Sequence, residues 1–191
     1  MEASLRTIVR DLRELDCGFA LVGGFAVSAH TNPRTTKDVD VAVAVEADEE
    51  AEQLAYRLSQ RGYELGAAIE QTSTERLATL RTRSPNGSIV DLLFASSGIE
   101  PELVRDAVTL EILDALSVPV ASIGYLIATK VLARDDRKRP QDRVDLASLF
   151  ACATQQDLAL ARSVLELVTR RGYARGRELV ANLDAALVEL R

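Results

Sequence analysis

Cysteine, histidine and tryptophan are scarce in this chain of 191 residues, which has two cysteines, one histidine and no tryptophan. Cys17 and Cys152 lie far apart in sequence and do not have the spacing of metal ligands. Disulfide scaffolds and zinc sites need more of these side chains, so the sequence argues against both. Isolated cysteines suit a reducing compartment, and we expect a cytoplasmic protein.

Long hydrophobic runs are also missing. The longest stretch without a charged residue, 17–33, contains glycines, Asn32 and Pro33, so it does not have the composition of a membrane span. Residues 1–15 mix charged and apolar side chains at helical spacing, which is unlike a signal peptide. We therefore predict no membrane partner.

Positive charge is not in excess, because 23 Lys and Arg against 29 Asp and Glu give a formal net charge of −6. A generic nucleic-acid coat is basic, so this balance argues against one, although it is compatible with a local basic face. The composition, 47 % hydrophobic and 27 % charged, is that of a globular protein with one domain, or with a core and a helical extension.

Hydrophobic periodicity predicts a mixed α/β chain that ends in helices. Predicted helices cover 3–15, 48–60 with Asp48 as its cap, a short segment near 101, 122–134 with Ser122 as its cap, a segment from 140, and 156–169 and 176–190. Predicted strands cover 19–22, 39–45, 77–83, 88–94, 109–112 and 117–121, with a tight turn at 84–87.

The most informative stretch is 22–45, where one apolar run ends on Gly23 and Gly24 and another begins at Asp38 and Asp40. Paired glycines let the backbone approach a phosphate closely, with the amino terminus of a helix behind them. Side chains two apart on a strand share a face, so the two carboxylates repel unless a cation lies between them. A hard divalent ion such as Mg²⁺ suits such oxygen ligands. The alternative is an ordinary strand, turn and helix, followed by an edge strand with solvated aspartates.

A third carboxylate, Asp91, interrupts the apolar run 89–94. Burying one carboxylate without a partner is costly. If its strand lies beside the strand that begins at Asp38, Asp91 faces the same ion and completes a triad. The alternative is an aspartate on an edge strand that is hydrogen-bonded to backbone.

A second group of charged residues follows in the helical part of the chain. The apolar positions of the helix 122–134 place Lys130 on its inward stripe, where the lysine either extends to solvent along its stem or projects into a cleft. Residues 134–143 are dense in charge, which is typical of a solvated loop and also of a phosphate or RNA contact. Asp142 and Asp145 lie one turn apart on one face of the next helix.

The order of Gly23-Gly24 and then R-x-T-x-D-x-D at residues 34–40 resembles the nucleotidyltransferase superfamily with a DNA polymerase β-like core. Within that superfamily it is similar to the AbiEii/MenT-like nucleotidyltransferase toxins of bacterial toxin–antitoxin systems. Residues 118–145 are similar to the same family, in which Lys130 and Asp145 match the second pair of active-site residues by position. Many superfamily members have Gly-Ser where this chain has two glycines, so a hydroxyl that could touch a phosphate is missing here.

This resemblance implies an α/β (α+β) fold with a polymerase β-like nucleotidyltransferase core and a mixed sheet in residues 1–120. It implies a helical region, 121–191, that closes one side of the cleft. The implied reaction is attack of an acceptor hydroxyl on a nucleoside triphosphate with release of pyrophosphate, and the implied cofactors are two Mg²⁺ ions, with Mn²⁺ as an alternative. The implied catalytic residues are Asp38, Asp40, Asp91, Lys130 and Asp145, of which the first three hold metal, and the nucleotide-binding residues are Gly23, Gly24, Arg34, Lys130 and Arg139.

The resemblance also implies partners: CTP or UTP as donor, a tRNA 3′ end as acceptor, and a separately encoded antitoxin that restrains a block of translation. Two other functions stay open. One is a small-molecule nucleotidyltransferase of the aminoglycoside-modifying kind, which an acidic acceptor pocket would favour, whereas a basic groove would favour RNA. The other is a non-catalytic nucleotide-binding or antitoxin-like module.

Overall fold

The computed structural model describes residues 1–71 and 75–190, which form a mixed sheet with helices packed against it. The strands are β1 (Phe19–Leu21), β2 (Asp38–Val43), β3 (Glu64–Glu70), β4 (Leu77–Arg83), β5 (Ile89–Leu93), β6 (Val108–Leu113) and β7 (Leu116–Val120). The helices are α1 (Glu2–Glu14), α2 (Gly23–His30), α3 (Asp48–Gln60), α4 (Glu100–Arg105), α5 (Ile123–Ala133), α6 (Pro140–Cys152), α7 (Gln155–Arg170) and α8 (Leu179–Leu190). The strand order is β3-β4-β5-β2-β1-β7-β6.

The centre of the sheet places β2 between two different neighbours. It runs antiparallel to β1 and parallel to β5, and β4 pairs antiparallel with β5 on the far side. The turn at 84–87 joins β4 to β5 as predicted, and the Gly87 amide donates to the Ser84 carbonyl at 2.8 Å. Because β5 has a partner on each side, the alternative of an edge-strand Asp91 is wrong.

Burial explains why these segments form strands and helices. The alternate β2 positions Val39 and Val41 are fully buried, as expected for a strand with one face on the core. On α1, Leu5, Ile8 and Leu12 recur at helical spacing and are also fully buried. Helices α5 to α8 contribute to the same core cluster as the sheet, so the helical segments and the strands share one hydrophobic core.

The structure corrects three local predictions. The hydrophobic pattern did not predict β3, whose residues are all exposed, because a strand without a buried face shows little hydrophobic alternation. Asp48 does not cap α3; its carboxylate instead accepts from the Leu77 amide at 2.9 Å. Ser122 stands at the N-cap of α5 but its side chain makes no capping hydrogen bond.

Two exclusions can be compared with the structure. Both cysteines are free thiols. Across residues 1–71 and 75–190, no helix combines the length and the apolar character that crossing a bilayer requires.

Candidate active site

Three carboxylates meet on one face of the sheet. Asp38 and Asp40 come from β2 and Asp91 from β5, and the parallel register places Asp40 directly beside Asp91. One oxygen of each carboxylate lies within 4.8 Å of the others. The two-residue spacing on β2 and the register with β5 therefore bring together the three residues that the sequence predicts as a triad.

The triad carries negative charge that its surroundings neutralise only in part. Burial, with the nearby charges of Asp38 and Asp91, raises the pKa of Asp40 from its ordinary value of 3.8 to about 6. The charge of Lys130 and a hydrogen bond from the Gly24 amide oppose this rise but do not cancel it. A site of this kind gains free energy from an added cation.

Gly23 is required by the geometry of this site. Its φ of +61° lies in the left-handed region, and a Cβ there would stand 1.9 Å from Oδ2 of Asp40. At Gly24, an added Cβ would lie 2.8 Å from the Thr36 hydroxyl oxygen. The paired glycines therefore let the start of α2 lie directly against the carboxylates, where its amino terminus faces the cleft.

Arg81, which the sequence analysis did not select, contacts the triad. Its Nε donates to Oδ1 of Asp91 at 2.8 Å and its Nη2 to Oδ2 at 2.6 Å. The β4–β5 register pairs Arg81 with Asp91. The sequence contained this signal, because a hairpin that turns at 84–87 brings the two positions opposite each other.

Lys130 is at the centre of a second charge cluster. Its Nζ lies 2.7 Å from Oδ1 of Asp142 and 2.7 Å from Oδ2 of Asp145. All three side chains are buried, so the alternative in which Lys130 extends to solvent is wrong. Their spacing on α5 and α6 places the lysine between the two carboxylates.

Two arginines complete this second cluster. The Arg34 Nη2 donates to Oδ2 of Asp145 at 2.9 Å, and its Nε lies 2.9 Å from Oδ1. The Arg139 Nε lies 2.9 Å from Oδ2 of Asp142. We name Arg34, Lys130, Arg139, Asp142 and Asp145 the cation cluster, since its three cations exceed its two carboxylates. Asp142 was noted in the sequence only as a neighbour of Asp145 on the helix.

A cleft of about 840 Å³ lies between the triad and the cation cluster. The triad, both glycines, Arg34, Lys130 and Arg139 line it. Asp145 is 1 % exposed, and its carboxylate contacts Arg34, Lys130 and the amide of Gln141.

The cleft has a basic rim, formed by Lys37, Lys138, Arg139 and Arg175, all of which are exposed. Although Arg175 as a whole residue is exposed, desolvation of its guanidinium, together with the nearby charges of Arg139 and Arg177, lowers the pKa of Arg175. Like charges are therefore held close together at this edge. Such a rim is suited to a polyanion.

The family model described as "Nucleotidyl transferase AbiEii toxin, Type IV TA system" matches residues 6–190. Curated proteins give no sequence match.

Solved nucleotidyltransferases share the fold. An antigenic nucleotidyltransferase-like protein from Paracoccidioides brasiliensis is similar at 21 % identity and a TM-score of 0.52, covering 97 % of this chain and 93 % of its own. A lincomycin-bound lincosamide antibiotic adenylyltransferase is similar at 12 % identity and a TM-score of 0.51, covering 80 % and 98 %. ANT(2")-Ia in complex with adenylyl-2"-tobramycin is similar at 10 % identity and a TM-score of 0.51, covering 98 % and 97 %. At these identities the likeness establishes the fold alone, and it confirms the predicted one.

Proposed function

Because the chain belongs to the AbiEii family of nucleotidyltransferase toxins, we propose that it transfers a pyrimidine nucleotide from a triphosphate to the 3′ end of tRNA, with Mg²⁺. Nucleotidyl transfer is the activity of the family, and the donor, acceptor and metal are our proposal. The observation that carries it is the convergence of three carboxylates within 4.8 Å opposite a cluster with surplus positive charge.

The triad fits a divalent metal. It offers carboxylate oxygens alone, which Mg²⁺ and Mn²⁺ accept as ligands, and the raised pKa of Asp40 reflects charge that a cation would neutralise. In the proposal, Asp38, Asp40 and Asp91 would hold the metal. Bound metal supplies charge stabilisation for the attacking and leaving oxygens.

The remaining residues bind and orient the triphosphate. Gly23 and Gly24 begin α2, so the positive end of a helix without side chains faces the β- and γ-phosphates. Lys130 lines the cleft and is fixed by Asp142 and Asp145, so its ammonium group is already oriented when the nucleotide arrives.

The proposed reaction joins the acceptor and the nucleotide. The 3′ hydroxyl oxygen forms a bond with the α-phosphorus of the triphosphate, and the bond from that phosphorus to the bridging oxygen breaks, releasing pyrophosphate. Asp91 accepts the hydroxyl proton. Arg34 and Arg139, at the cleft wall, neutralise charge on the departing phosphates.

The basic rim supports RNA as the acceptor. Lys37, Lys138, Arg139 and Arg175 are exposed residues that line the cleft. An acidic chain can attract a polyanion only through such a local patch. A cationic antibiotic would instead need an acidic acceptor pocket. We also propose that an antitoxin protein binds this chain and that the chain acts in the cytoplasm.

The division of the chain is part of the same proposal. The last sheet strand, β7, ends at Val120, and Lys130 and Asp142, which line the cleft, come from α5 and α6. We therefore assign 1–120 to the core and 121–191 to a helical lobe that closes one side of the cleft.

The test is to incubate the protein with Mg²⁺, each labelled nucleoside triphosphate and total tRNA. Label from CTP or UTP should enter tRNA, and tRNA whose 3′ ribose has been oxidised by periodate should accept none. Asp40→Asn serves as the inactive control. Labelling of an aminoglycoside or lincosamide but not of tRNA would replace the proposed acceptor, and no labelling of any acceptor would refute transfer.

A further inference from the structure

Both oxygens of Asp91 are already bound by a cation of the protein. The Arg81 Nε and Nη2 donate to Oδ1 and Oδ2 at 2.8 and 2.6 Å. This is the two-pronged geometry in which arginine binds carboxylates most strongly. The Asp91 side chain is 10 % exposed, whereas the Arg81 side chain is 52 % exposed.

A metal shared with Asp38 and Asp40 needs an oxygen that Arg81 holds. One Asp91 oxygen lies within 4.8 Å of those of the other two aspartates, and each Asp91 oxygen is a hydrogen-bond acceptor for the guanidinium. The other two aspartates also attract Arg81. The guanidinium and a divalent ion therefore compete for the same ligand.

We propose that Arg81 is a built-in counter-ion of Asp91 that a divalent ion must displace, so that Arg81 sets the metal affinity of the triad. The inference rests on the proposed metal role of the triad and adds a positioning residue to it. Because half of its side chain is exposed and it lines the cleft, the displaced guanidinium remains beside the bound ligand. Triphosphate oxygens offer it a replacement for Asp91.

Displacement of Arg81 from Asp91 couples the binding of the divalent ion to the binding of the nucleotide. A nucleotide that draws Arg81 away from Asp91 frees an oxygen for the ion, and by reciprocity the ion favours the nucleotide. The coupling should be larger in the natural protein than in a variant without Arg81. If Arg81 took no part in this exchange, its removal would leave the coupling unchanged.

The experiment is a calorimetric titration of the whole chain with Mn²⁺, without nucleotide and with a non-hydrolysable CTP analogue. Without nucleotide, Arg81→Ala should bind Mn²⁺ about tenfold more tightly than the natural protein, because the ion no longer has to break a charged hydrogen bond. Tenfold corresponds to about 1.4 kcal/mol. Arg81→Lys should fall between them, since an ammonium keeps the charge but cannot bind both oxygens in the same way. Circular dichroism melts check that each variant is folded, and Arg81→Gln replaces any that is not.

Arg83→Ala is the matched control. Arg83 lies two residues further along β4 and has a similar side-chain exposure of 53 %, but it pairs with Glu64 at 3.7 Å rather than with the triad. Its loss should change Mn²⁺ affinity less than about twofold. In an Asp91→Asn background, removal of Arg81 should no longer tighten binding.

The outcomes separate this inference from the proposed function. The role of Arg81 would be overturned, with the metal site left intact, by any of three results. Arg81→Ala could bind Mn²⁺ as tightly as the natural protein, it could bind Mn²⁺ more weakly, or Arg83→Ala could raise the Mn²⁺ affinity as much as Arg81→Ala does. No Mn²⁺ binding by any variant, with or without nucleotide, would overturn the metal site and the inference together.

Discussion

The two walls of the cleft, the triad on one side and the cation cluster on the other, carry opposite excess charge. Among the described residues, the triad places three carboxylates around one paired guanidinium, that of Arg81. The cation cluster places two carboxylates among three cations. The first wall has an excess of negative charge and the second an excess of positive charge.

The pKa of one aspartate on each side shows this difference. Burial raises the pKa of Asp40, and neighbouring carboxylates add to the effect. Burial also acts to raise the pKa of Asp145, but hydrogen bonds from Lys130 and Gln141 outweigh it, so that the pKa is lowered. A charge that is satisfied within the protein stabilises the fold, whereas an unsatisfied one is available for a ligand.

The largest expected effect is on catalysis at the triad. Asp38→Asn or Asp40→Asn should reduce transfer about a thousandfold or more, because a lost metal contact removes several kcal/mol of charge stabilisation. Label transfer to tRNA measures this. Asp184→Asn, on α8 and paired with Arg162, should keep full activity; retention of transfer by both triad variants would exclude the carboxylates as metal ligands.

The next largest expected effect is on the free energy of unfolding. Removing a charge should lower it in the cation cluster but leave it equal or higher in the triad. Lys130→Met should lower the free energy of unfolding by about 3–5 kcal/mol, since it leaves two buried carboxylates without their lysine. Asp40→Asn should leave stability equal or higher in the presence of a chelator, because it relieves repulsion. Urea denaturation measures both. Lys138→Met, at an exposed site, is the control, and a stable Lys130→Met would show that the cation cluster contributes little to the fold.

A smaller expected effect is the pH dependence of stability that results from Asp40 in the triad. With a chelator present, the unfolded chain releases the Asp40 proton near pH 4, but the folded chain keeps it until about pH 6. Stability of the natural protein relative to Asp40→Asn should therefore fall as pH rises from about 4 to 6, by at most about 3 kcal/mol. Denaturation midpoints across this range measure it, and parallel curves for the two proteins would contradict the raised pKa.

The smallest effect lies outside both clusters, on the charged segment beside the cleft. Neutralising Arg137 and Lys138 together should make the slope of log RNA affinity against log salt shallower by about 1.4, at about 0.7 for each single-strand phosphate contact. Arg139 is left intact because it pairs with Asp142. Nucleotide affinity should not change. An unaltered salt slope would remove this segment from the RNA contact.

Local rules predict part of the triad, and the pairing of β2 with β5 that completes it was expected from the family resemblance. Asp38 and Asp40 share a face by strand periodicity, and a single carboxylate in an apolar run indicates that Asp91 has a partner. Arg81 was missed although the turn at 84–87 fixes its register, because an arginine on a half-exposed strand looks like an ordinary surface residue.

The cation cluster was predicted less completely, because long-range packing builds it. Lys130 and Asp145 were selected by resemblance, but nothing in the local pattern shows that Arg34 reaches Asp145. β3 was missed for a different reason, since its all-exposed residues do not produce the alternation that identifies a half-buried strand.

The Arg34–Asp145 contact, between positions 111 residues apart, has a consequence for when the protein becomes active. At a synthesis rate of about 5–20 residues per second, Asp145 emerges about 5 to 20 s after Arg34. Until then a growing chain has the carboxylates of the triad but lacks the fixed cations of the proposed triphosphate site. The proposed triphosphate site is therefore completed only late in synthesis, after Asp145 has emerged.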